Sequence, residues 1–222
     1  MSATSAAQSP NVDYAALAAA PIVRASAPGL KRLPTSKAQL FIWTGFMAAE
    51  TCRRVIDLAT PHLRPSTITT DDPDPFFRTS STCDLAQIDD PFVGELDETI
   101  ANALGLPVAY GEQIQAQSYE VGQEFKAHTD YFEPDQPEYA VHAAARGQRT
   151  WTFMVYLNDV EGGGQTDFVR LDRRVKPRTG RAVVWNNLGP DGRPNPMTMH
   201  HGAPVTAGRK IIITKWFRDR PQ

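Results

Sequence analysis

Two short segments of this 222-residue sequence contain side chains that could hold a metal ion. His128 and Asp130 lie two positions apart in K-A-H-T-D-Y-F, and His200 and His201 are adjacent in T-M-H-H-G-A-P-V. Residues two apart on an extended strand project from the same face, so the imidazole and the carboxylate can occupy neighbouring positions on one metal. Two histidines and one carboxylate form the facial triad of non-haem Fe(II) centres. Because adjacent strand residues point to opposite faces, one metal would take only one of the two adjacent histidines.

A lone H-x-D pair is usually a hydrogen-bonded surface pair. Whether this pair binds a metal therefore depends on the secondary-structure elements that position it. Segments 48–59 and 90–105 have apolar residues at helical spacing, and Gly105 ends the second of them. Strand periodicity dominates from residue 112 onward. The predicted strands are 39–46, 114–121, 149–158, 164–169, 181–186 and 210–217. Helices followed by many strands predict a mainly β protein with supporting helices, either an antiparallel barrel or a sandwich.

Composition and charge argue against several functional classes. The chain is 41% hydrophobic and 22% charged with a formal net charge of -2, so its overall charge does not favour nucleic acid or an anionic membrane. Its two cysteines, Cys52 and Cys83, are too few for a disulfide framework and suit a reducing compartment. The sequence shows no signal peptide and no apolar run of membrane-spanning length. We therefore expect a cytoplasmic protein without nucleic-acid or membrane partners.

The first 37 residues differ in composition from the rest of the chain. They are rich in Ala, Ser and Pro, and four prolines interrupt them. Such a sequence predicts a loosely structured N-terminal extension over residues 1–37, with one short helix around Tyr14–Ala20. Residues 38–222 are then expected to form a single domain.

Ordered segments in the second half of the chain carry a more specific signal than H-x-D alone. They read Y-E-V-G-Q-E-F-K-A-H-T-D-Y-F, then G-Q-R-T-W-T-F-M-V-Y-L-N-D-V-E-G-G-G-Q-T-D-F, then H-H-G-A-P-V-T-A-G-R-K and T-K-W, with F-F-R-T-S-S as a weaker addition. Together they resemble the prolyl 4-hydroxylase group of 2-oxoglutarate/Fe(II)-dependent dioxygenases, over roughly residues 41–217. The resemblance implies a double-stranded β-helix (jelly roll) core. It also implies an enzyme that hydroxylates a C–H bond and converts 2-oxoglutarate to succinate and CO2.

The resemblance selects His200 as the third metal ligand. In the family pattern a histidine stands four positions before the proline of a Pro-Val pair and ten positions before a lysine. Counting back from Pro204 and from Lys210 reaches His200 in both cases. His201 stays the alternative, because a β-bulge could reverse the direction of the side chains. The implied metal is Fe(II), with 2-oxoglutarate and O2 as co-substrates, and ascorbate stays open as an additional cofactor.

The same resemblance assigns residues to the co-substrate pocket. Lys210 matches the basic residue that pairs with the distal carboxylate of 2-oxoglutarate. A dianion entering the interior of a barrel needs such a buried cationic partner. Tyr119 and Trp216 match aromatic residues that line this pocket, although ordinary core packing would also account for both.

The substrate is less well defined by the sequence. Arg149 matches a basic residue near the substrate entrance. Arg78 and Tyr131 lie in or beside two long segments, Thr70–Thr82 and Glu133–Gly147, whose composition predicts lids over the site. We expect hydroxylation at C4 of a prolyl residue in a peptide or protein, with free proline, another amino acid or a small metabolite as alternatives.

Three alternatives would also account for the metal-binding residues. A halogenase of the same superfamily would lack the carboxylate that Asp130 provides. A zinc hydrolase would not need Lys210 at the bottom of a pocket. A catalytically silent 2-oxoglutarate-binding or sensor domain is the alternative from a different class. Two departures from the family pattern, Ala203 for a common Cys and Arg218 for a His, concern the substrate rather than the metal.

Overall fold

The computed structural model describes residues 27–67 and 74–222, and three helices and fourteen strands lie within them. The helices are α1 (Ala49–Ala59), α2 (Pro91–Leu104) and α3 (Pro137–His142). The strands are β1 (Leu30–Arg32), β2 (Leu40–Trp43), β3 (Arg64–Pro65), β4 (Ser81–Asp84), β5 (Gln115–Tyr119), β6 (Phe125–His128), β7 (Arg149–Tyr156), β8 (Gly162–Gly163), β9 (Thr166–Phe168), β10 (Arg173–Val175), β11 (Ala182–Asn186), β12 (His200–Gly202), β13 (Val205–Ala207) and β14 (Lys210–Arg218).

Most of these strands belong to two antiparallel sheets. The larger has eight strands in the order β1-β2-β11-β7-β14-β5-β4-β3, and the smaller has four in the order β10-β9-β12-β6. Buried side chains fill the space between them, with Tyr156 and Trp185 from the larger sheet against Phe168 and Val175 from the smaller. Two antiparallel sheets that enclose one core confirm the predicted double-stranded β-helix.

Helices α1 and α2 cover the other face of the larger sheet. α1 buries Cys52 and Val55, and α2 buries Leu96 and Ile100, within a core cluster that also contains Phe153 of β7. Burial of these apolar faces, rather than helix propensity, supplies most of the stability of such short helices. The layers are thus helices, larger sheet, interior, smaller sheet, in agreement with the predicted β fold and its supporting helices.

The boundaries of α2 follow from its sequence. The Asp90 side chain caps its N-terminus by accepting a hydrogen bond from the Phe92 backbone N–H at 2.9 Å. Gly105 ends it in the left-handed region, at φ 70°, where a side chain would be strained. The prediction of a helix over residues 90–105 is therefore confirmed to within a residue at each end.

β14 contributes side chains to both faces of the larger sheet, the face covered by α1 and α2 and the face towards the interior between the sheets. All nine of its residues are buried, and it pairs with β5 on one side and β7 on the other. Ile211, Ile213 and Phe217 pack towards the helices. The alternate residues, which include Lys210 and Trp216, line the interior between the sheets. Both faces of the strand are buried, and its sequence accordingly has apolar residues on each of them, in I-I-I and W-F.

Several short elements lie where the sequence predicts none. β1 lies inside the predicted N-terminal extension and pairs with β2, and α3 lies inside the segment Glu133–Gly147. The helix predicted around Tyr14–Ala20 lies outside the described residues, and the boundary between extension and domain stays a prediction. None of the three described helices has the length and apolar character needed to cross a lipid bilayer.

Candidate active site

The structure brings His128, Asp130 and His200 together at the edge of the smaller sheet. One ligand atom from each residue lies within 4.8 Å of the other two. His128 Nε2 is 3.8 Å and His200 Nε2 is 4.0 Å from the same carboxylate oxygen, Asp130 Oδ1. Asp130 and His200 are buried, at 7% and 6% exposure. Three donor atoms that converge on one point in this way form a binding site for a single metal ion.

Strand pairing explains why His200 and not His201 enters this site. β12 pairs with β6 so that His200 lies directly opposite His128, and opposite residues of an antiparallel pair share a face. The two imidazole rings are 4.3 Å apart between centroids. His201 points the other way, and its Nε2 lies 2.7 Å from the Glu124 carboxylate. The β12–β6 register shifts only after His200, so the regular alternation of side-chain directions still holds at this ligand.

Backbone carbonyl groups fix which nitrogen of each histidine is available. His128 Nδ1 lies 2.7 Å from the Lys126 carbonyl oxygen, and His200 Nδ1 lies 3.0 Å from that of Thr198. A carbonyl only accepts hydrogen bonds, so each Nδ1 carries the proton and each Nε2 offers its lone pair to the site. Burial and the neighbouring His200 lower the pKa of His128 to about 3, which keeps it in the neutral form that a metal requires.

The Asp130 carboxylate is ionised. Burial acts to raise the pKa of this carboxyl, but His200, His128 and Arg149, together with a hydrogen bond from Thr152, outweigh burial and hold the pKa below its usual value. Two neutral imidazoles and one carboxylate are a donor set that suits Fe(II). The residues present therefore fit the metal that the family resemblance implies.

A cavity lined by the three ligands also reaches Lys210. The residues that line it include the three ligands, Tyr119, Gln117, Thr214, Trp216 and Lys210. Lys210 is 2% exposed, and its Nζ lies 4.0 Å from the centre of the Tyr119 ring. In the described part of the chain, no carboxylate comes within ion-pair distance of this ammonium group, and burial lowers its pKa to about 7. A buried cation of this kind is stabilised by an anion that enters the cavity.

Tyr119 and Trp216 both line this cavity. The Tyr119 hydroxyl donates to Gln117 Oε1 at 2.9 Å, and burial raises the pKa of this phenol. Trp216 is 9% exposed, and its indole N–H has no hydrogen-bond partner among the described residues. Both side chains thus face the cavity as predicted, and their roles toward the co-substrate stay predictions.

Arg149 lies at the predicted entrance, but its donors are already engaged. It makes a bidentate ion pair with Glu112, with Nε–Oε1 and Nη2–Oε2 distances of 2.6 and 2.8 Å. Its guanidinium stacks 4.1 Å from the centre of the Trp216 ring, and Nη1 reaches the Asp130 carbonyl oxygen at 3.4 Å. Arg218 donates to the same Glu112 carboxylate at 2.7 Å. One carboxylate therefore holds two arginines beside the metal site.

Replacing Glu112 by alanine is expected to destabilise the protein by about 3–5 kcal/mol, because it leaves two arginines in a buried position without their counter-ion. Burial acts to raise the pKa of Glu112, but Arg149 and Arg218 lower it overall, so the contribution is present at neutral pH and is lost on acidification. Urea unfolding at pH 7 measures the effect. The exposed Glu98→Ala serves as the control, with a change within about 0.5 kcal/mol. Equal midpoints for the two variants would contradict this account.

The other two predicted substrate residues lie close to the site. Arg78 is half-buried, and it donates to Ser80, Thr82 and Gln115, with its guanidinium 5.0 Å from the centre of the Phe125 ring. Tyr131 follows the ligand Asp130 but is only 5% exposed, and burial together with Glu133 raises its pKa to about 12. Neither residue presents a large free surface, and their contact with substrate stays a prediction.

Three residues at the site have no sequence pattern that predicts their role. Glu112, Thr152 and Asn187 all contact a ligand or a neighbour of a ligand, yet each has an ordinary polar type in an ordinary context. Thr150 and Thr152 alternate with Trp151 and Phe153 in T-W-T-F, which indicates that the two threonines share one face of a strand. Such alternation indicates where a polar side chain points, but it does not reveal its partner.

Comparison with known proteins agrees with this geometry. A family model for the 2OG-Fe(II) oxygenase superfamily matches residues 114–218. The chain is 33% identical over 200 residues to probable prolyl 4-hydroxylase 10 of Arabidopsis thaliana, covering 80% of this chain and 68% of the relative. It is 34% identical over 172 residues to prolyl 4-hydroxylase subunit alpha-1 of Homo sapiens, covering 76% of this chain and 32% of that one.

A solved structure shows the same architecture. The viral collagen prolyl hydroxylase of Paramecium Bursaria Chlorella virus-1, in its 2OG complex, superposes with a TM-score of 0.64 at 25% identity. The alignment covers 81% of this chain and 94% of the viral protein.

Fold and site together define a 2OG-Fe(II) oxygenase, an enzyme whose iron is held by His128, Asp130 and His200. Within that superfamily, the chain belongs to the prolyl 4-hydroxylase group. The presence of the carboxylate ligand separates the site from the halogenase alternative. Membership in this family also argues against the zinc hydrolase alternative.

Proposed function

We propose that this dioxygenase hydroxylates C4 of a proline residue within a peptide or protein segment. The reaction consumes 2-oxoglutarate and O2, with one oxygen atom entering succinate and the other the new hydroxyl group, and CO2 is released. The observation that supports it most directly is the lining of the cavity, which includes a His-Asp-His site and a buried lysine. Relatives named prolyl 4-hydroxylases, and one named a collagen prolyl hydroxylase, support the choice of proline.

Iron(II) bound by the three ligands would supply the activation of O2 that an unactivated C–H bond requires. The protein's own residues bind, orient and exclude water. Lys210 is proposed to pair with the distal carboxylate of 2-oxoglutarate, and its position beside Tyr119 supports this assignment. Gln117 and Thr214 add polar contacts along the same wall, where Gln117 Nε2 lies 3.4 Å from Thr214 Oγ1. No side chain needs to act as a general base.

Trp216 and Arg149 are proposed to form the boundary between co-substrate and substrate. The Arg149 guanidinium covers the indole, and Glu112 restricts it to this position. The unpartnered Trp216 N–H is buried in the cavity wall, so a ligand oxygen that accepted from it would relieve the cost of leaving that donor unsatisfied.

Two segments beside the cavity support a peptide as the acceptor. Residues 77–79 hydrogen-bond to strand β6 and to the residue just before it. Lys126 N, for example, donates to the Phe77 carbonyl at 2.9 Å. The segment Glu133–Gly147 is attached on the other side through Arg218, which donates to the His142 and Gly147 carbonyl groups at 2.6 Å. Each segment exposes a large apolar side chain, Phe76 at 68% and Val141 at 69%. Such surfaces offer contacts to an extended, proline-containing chain that a free amino acid would not reach.

Peptide and free amino acid are expected to differ strongly as substrates. With Fe(II) and 2-oxoglutarate present, proline-containing peptides should gain the mass of one oxygen atom and yield succinate in equal amount, whereas free L-proline should give neither product above background. Mass spectrometry and a succinate assay measure the two products. Digestion of the peptide and comparison with 4-hydroxyproline standards locate the hydroxyl group. Hydroxylation of free proline with no reaction on any peptide would refute the peptide acceptor while leaving the iron chemistry intact.

A further inference from the structure

The carboxylate of the iron ligand Asp130 is held from behind by two further side chains. Its Oδ1 faces both histidines, whereas its Oδ2 accepts a hydrogen bond from Thr152 Oγ1 at 2.6 Å. Thr152 Oγ1 in turn accepts a hydrogen bond from Asn187 Nδ2 at 2.9 Å. Thr152 and Asn187 are both fully buried. The two oxygens of the carboxylate therefore have separate partners, the metal site on one side and the Thr152 hydroxyl on the other.

The direction of the hydrogen bonds in this chain follows from the number of protons. A threonine hydroxyl has one proton, and because the Asn187 amide donates to its oxygen, that proton is directed to Asp130. With the amide reversed, Asn187 Oδ1 would compete with Asp130 for the same proton. In the observed orientation Asn187 Oδ1 is buried and has no hydrogen-bond partner within residues 27–67 and 74–222. An unsatisfied buried acceptor is unfavourable, so local hydrogen bonding alone does not account for this orientation.

Both residues are anchored to the rigid centre of the larger sheet. Thr152 is in the middle of β7, opposite Trp185 of β11 and Trp216 of β14. Asn187 follows β11 directly, and its backbone N–H donates to the Thr150 carbonyl at 2.7 Å. The Asn187 carbonyl accepts from the Asn195 N–H at 2.9 Å. Because both the backbone N–H and the backbone carbonyl of Asn187 are hydrogen-bonded, the position of its side-chain amide is set by the sheet and not by Asp130.

We propose that Thr152 and Asn187 are positioning residues for the iron ligand Asp130, and that Asn187 acts through the Thr152 hydroxyl. The inference rests on the iron site of the proposed function. The hydrogen bond to Oδ2 prevents the carboxylate from turning to offer both oxygens, so Oδ1 alone is directed towards the two histidine Nε2 atoms. Hydrogen bonds of this kind behind a ligating carboxylate orient it and raise metal affinity.

Removing the Thr152 hydroxyl is expected to weaken Fe(II) binding by about 10–100-fold. Thr152→Val keeps the shape but loses the donor, whereas Thr152→Ser keeps the donor and should bind Fe(II) nearly as the wild type does. The measurement is anaerobic titration of the metal-free protein with Fe(II), followed by calorimetry, and it needs no turnover. Thr150→Val is the matched control, since Thr150 is buried on the same strand but donates to the Phe217 carbonyl, away from the ligands.

A double-mutant cycle tests whether Asn187 acts through Thr152. Asn187→Ala alone should weaken Fe(II) binding, and adding it to Thr152→Val should produce no further loss, because the hydroxyl that it orients is absent. Additive losses would overturn the proposed order of action. Wild-type affinity in Thr152→Val would overturn the positioning role altogether.

Folding and function are separated by two further measurements. Thermal unfolding of the metal-free variants reports any loss of structure, and if Asn187→Ala does not fold, the Thr152→Val and Thr152→Ser pair decides the proposal. Loss of Fe(II) binding in His200→Ala together with unchanged binding in Thr152→Val would leave the proposed function standing and reject this inference. Unchanged binding in both would reject the iron site itself.

Discussion

Replacing His200 by alanine is expected to abolish succinate formation and to remove specific Fe(II) binding. The variant keeps only two of the three ligands, His128 and Asp130, and a buried site with a vacant third position cannot hold the metal in the facial arrangement. The cavity left by the imidazole is bordered by Trp185 and Phe168, whose aromatic rings offer no ligand atom that could replace it. Metal analysis of the purified protein and a succinate assay measure both effects.

His201→Ala is the matched control for this experiment. His201 is adjacent in sequence, but it faces away from the site and pairs with Glu124. Its replacement should leave iron content and turnover close to the wild-type values, with at most a small loss of stability from the partly exposed pair. The reverse result, with His201→Ala inactive and His200→Ala active, would mean that β12 is placed one residue out of register.

Replacing Lys210 by methionine is expected to raise the KM for 2-oxoglutarate at least tenfold, roughly 1.4 kcal/mol, because a charge-assisted contact to the distal carboxylate is lost. The same change is expected to stabilise the protein in the absence of co-substrate. Burial lowers the pKa of Lys210 from 10.5 to about 7, so the folded state holds this charge at a cost. A methionine of similar length removes that cost.

The pH dependence of this stabilisation follows from the direction of the pKa shift. Below about pH 7 the lysine is charged in both states, and the cost of burying the charge is fully present. Between the folded and unfolded pKa values the folded state releases the proton first, so wild-type stability rises with pH and the advantage of Lys210→Met shrinks. For the same reason the wild-type KM for 2-oxoglutarate should increase above pH 7, while that of Lys210→Met should not follow this titration. Thermal unfolding and initial rates between pH 6 and about 9 test both statements.

Lys215→Met provides the control on the same strand. Lys215 points to the opposite face of β14, where it pairs with Asp97, so its loss should destabilise the protein without a specific change in the KM for 2-oxoglutarate. If Lys210→Met left this KM unchanged, Lys210 would no longer be the anchor. Arg209, whose Nε lies 2.9 Å from Glu120, would become the next cation to examine.

The metal ligands could be predicted from the sequence because their signal is local. His128 and Asp130 share a face on any extended backbone, and the family pattern that the sequence resembles selects His200 by its offsets from Pro204 and Lys210 within one short β-rich segment. The long strands and both long helices were predicted for a similar reason, since each repeats its apolar pattern over several turns or alternations. Short strands such as β6 and β12 have only three or four residues, too few to establish a period.

Interactions between distant parts of the chain could not be predicted in this way. Glu112 pairs with Arg149 and Arg218, 37 and 106 positions away, and no local pattern indicates which carboxylate would compensate which arginine. The contact of Arg149 with substrate stays a prediction, and only the folded structure shows that its charge is paired with Glu112. Thr152 and Asn187 are 35 positions apart and meet because β7 and β11 are neighbours in the larger sheet.

The placement of β14 has a consequence for how relatives of this enzyme can diverge. Lys210 and Trp216 lie on the same face of the strand, roughly 20 Å apart along it, and hydrogen bonds to β5 and β7 prevent the strand from sliding. The number of residues between Lys210 and Trp216 therefore sets both their distance and the face to which each side chain points. Losing one residue between the two would turn Trp216 towards the helices instead of the cavity. The spacing of Lys210 and Trp216 is therefore fixed by a strand that is hydrogen-bonded on both sides, whereas the proposed acceptor-binding segments 74–80 and 133–147 lie outside this strand and can change in sequence without altering that spacing.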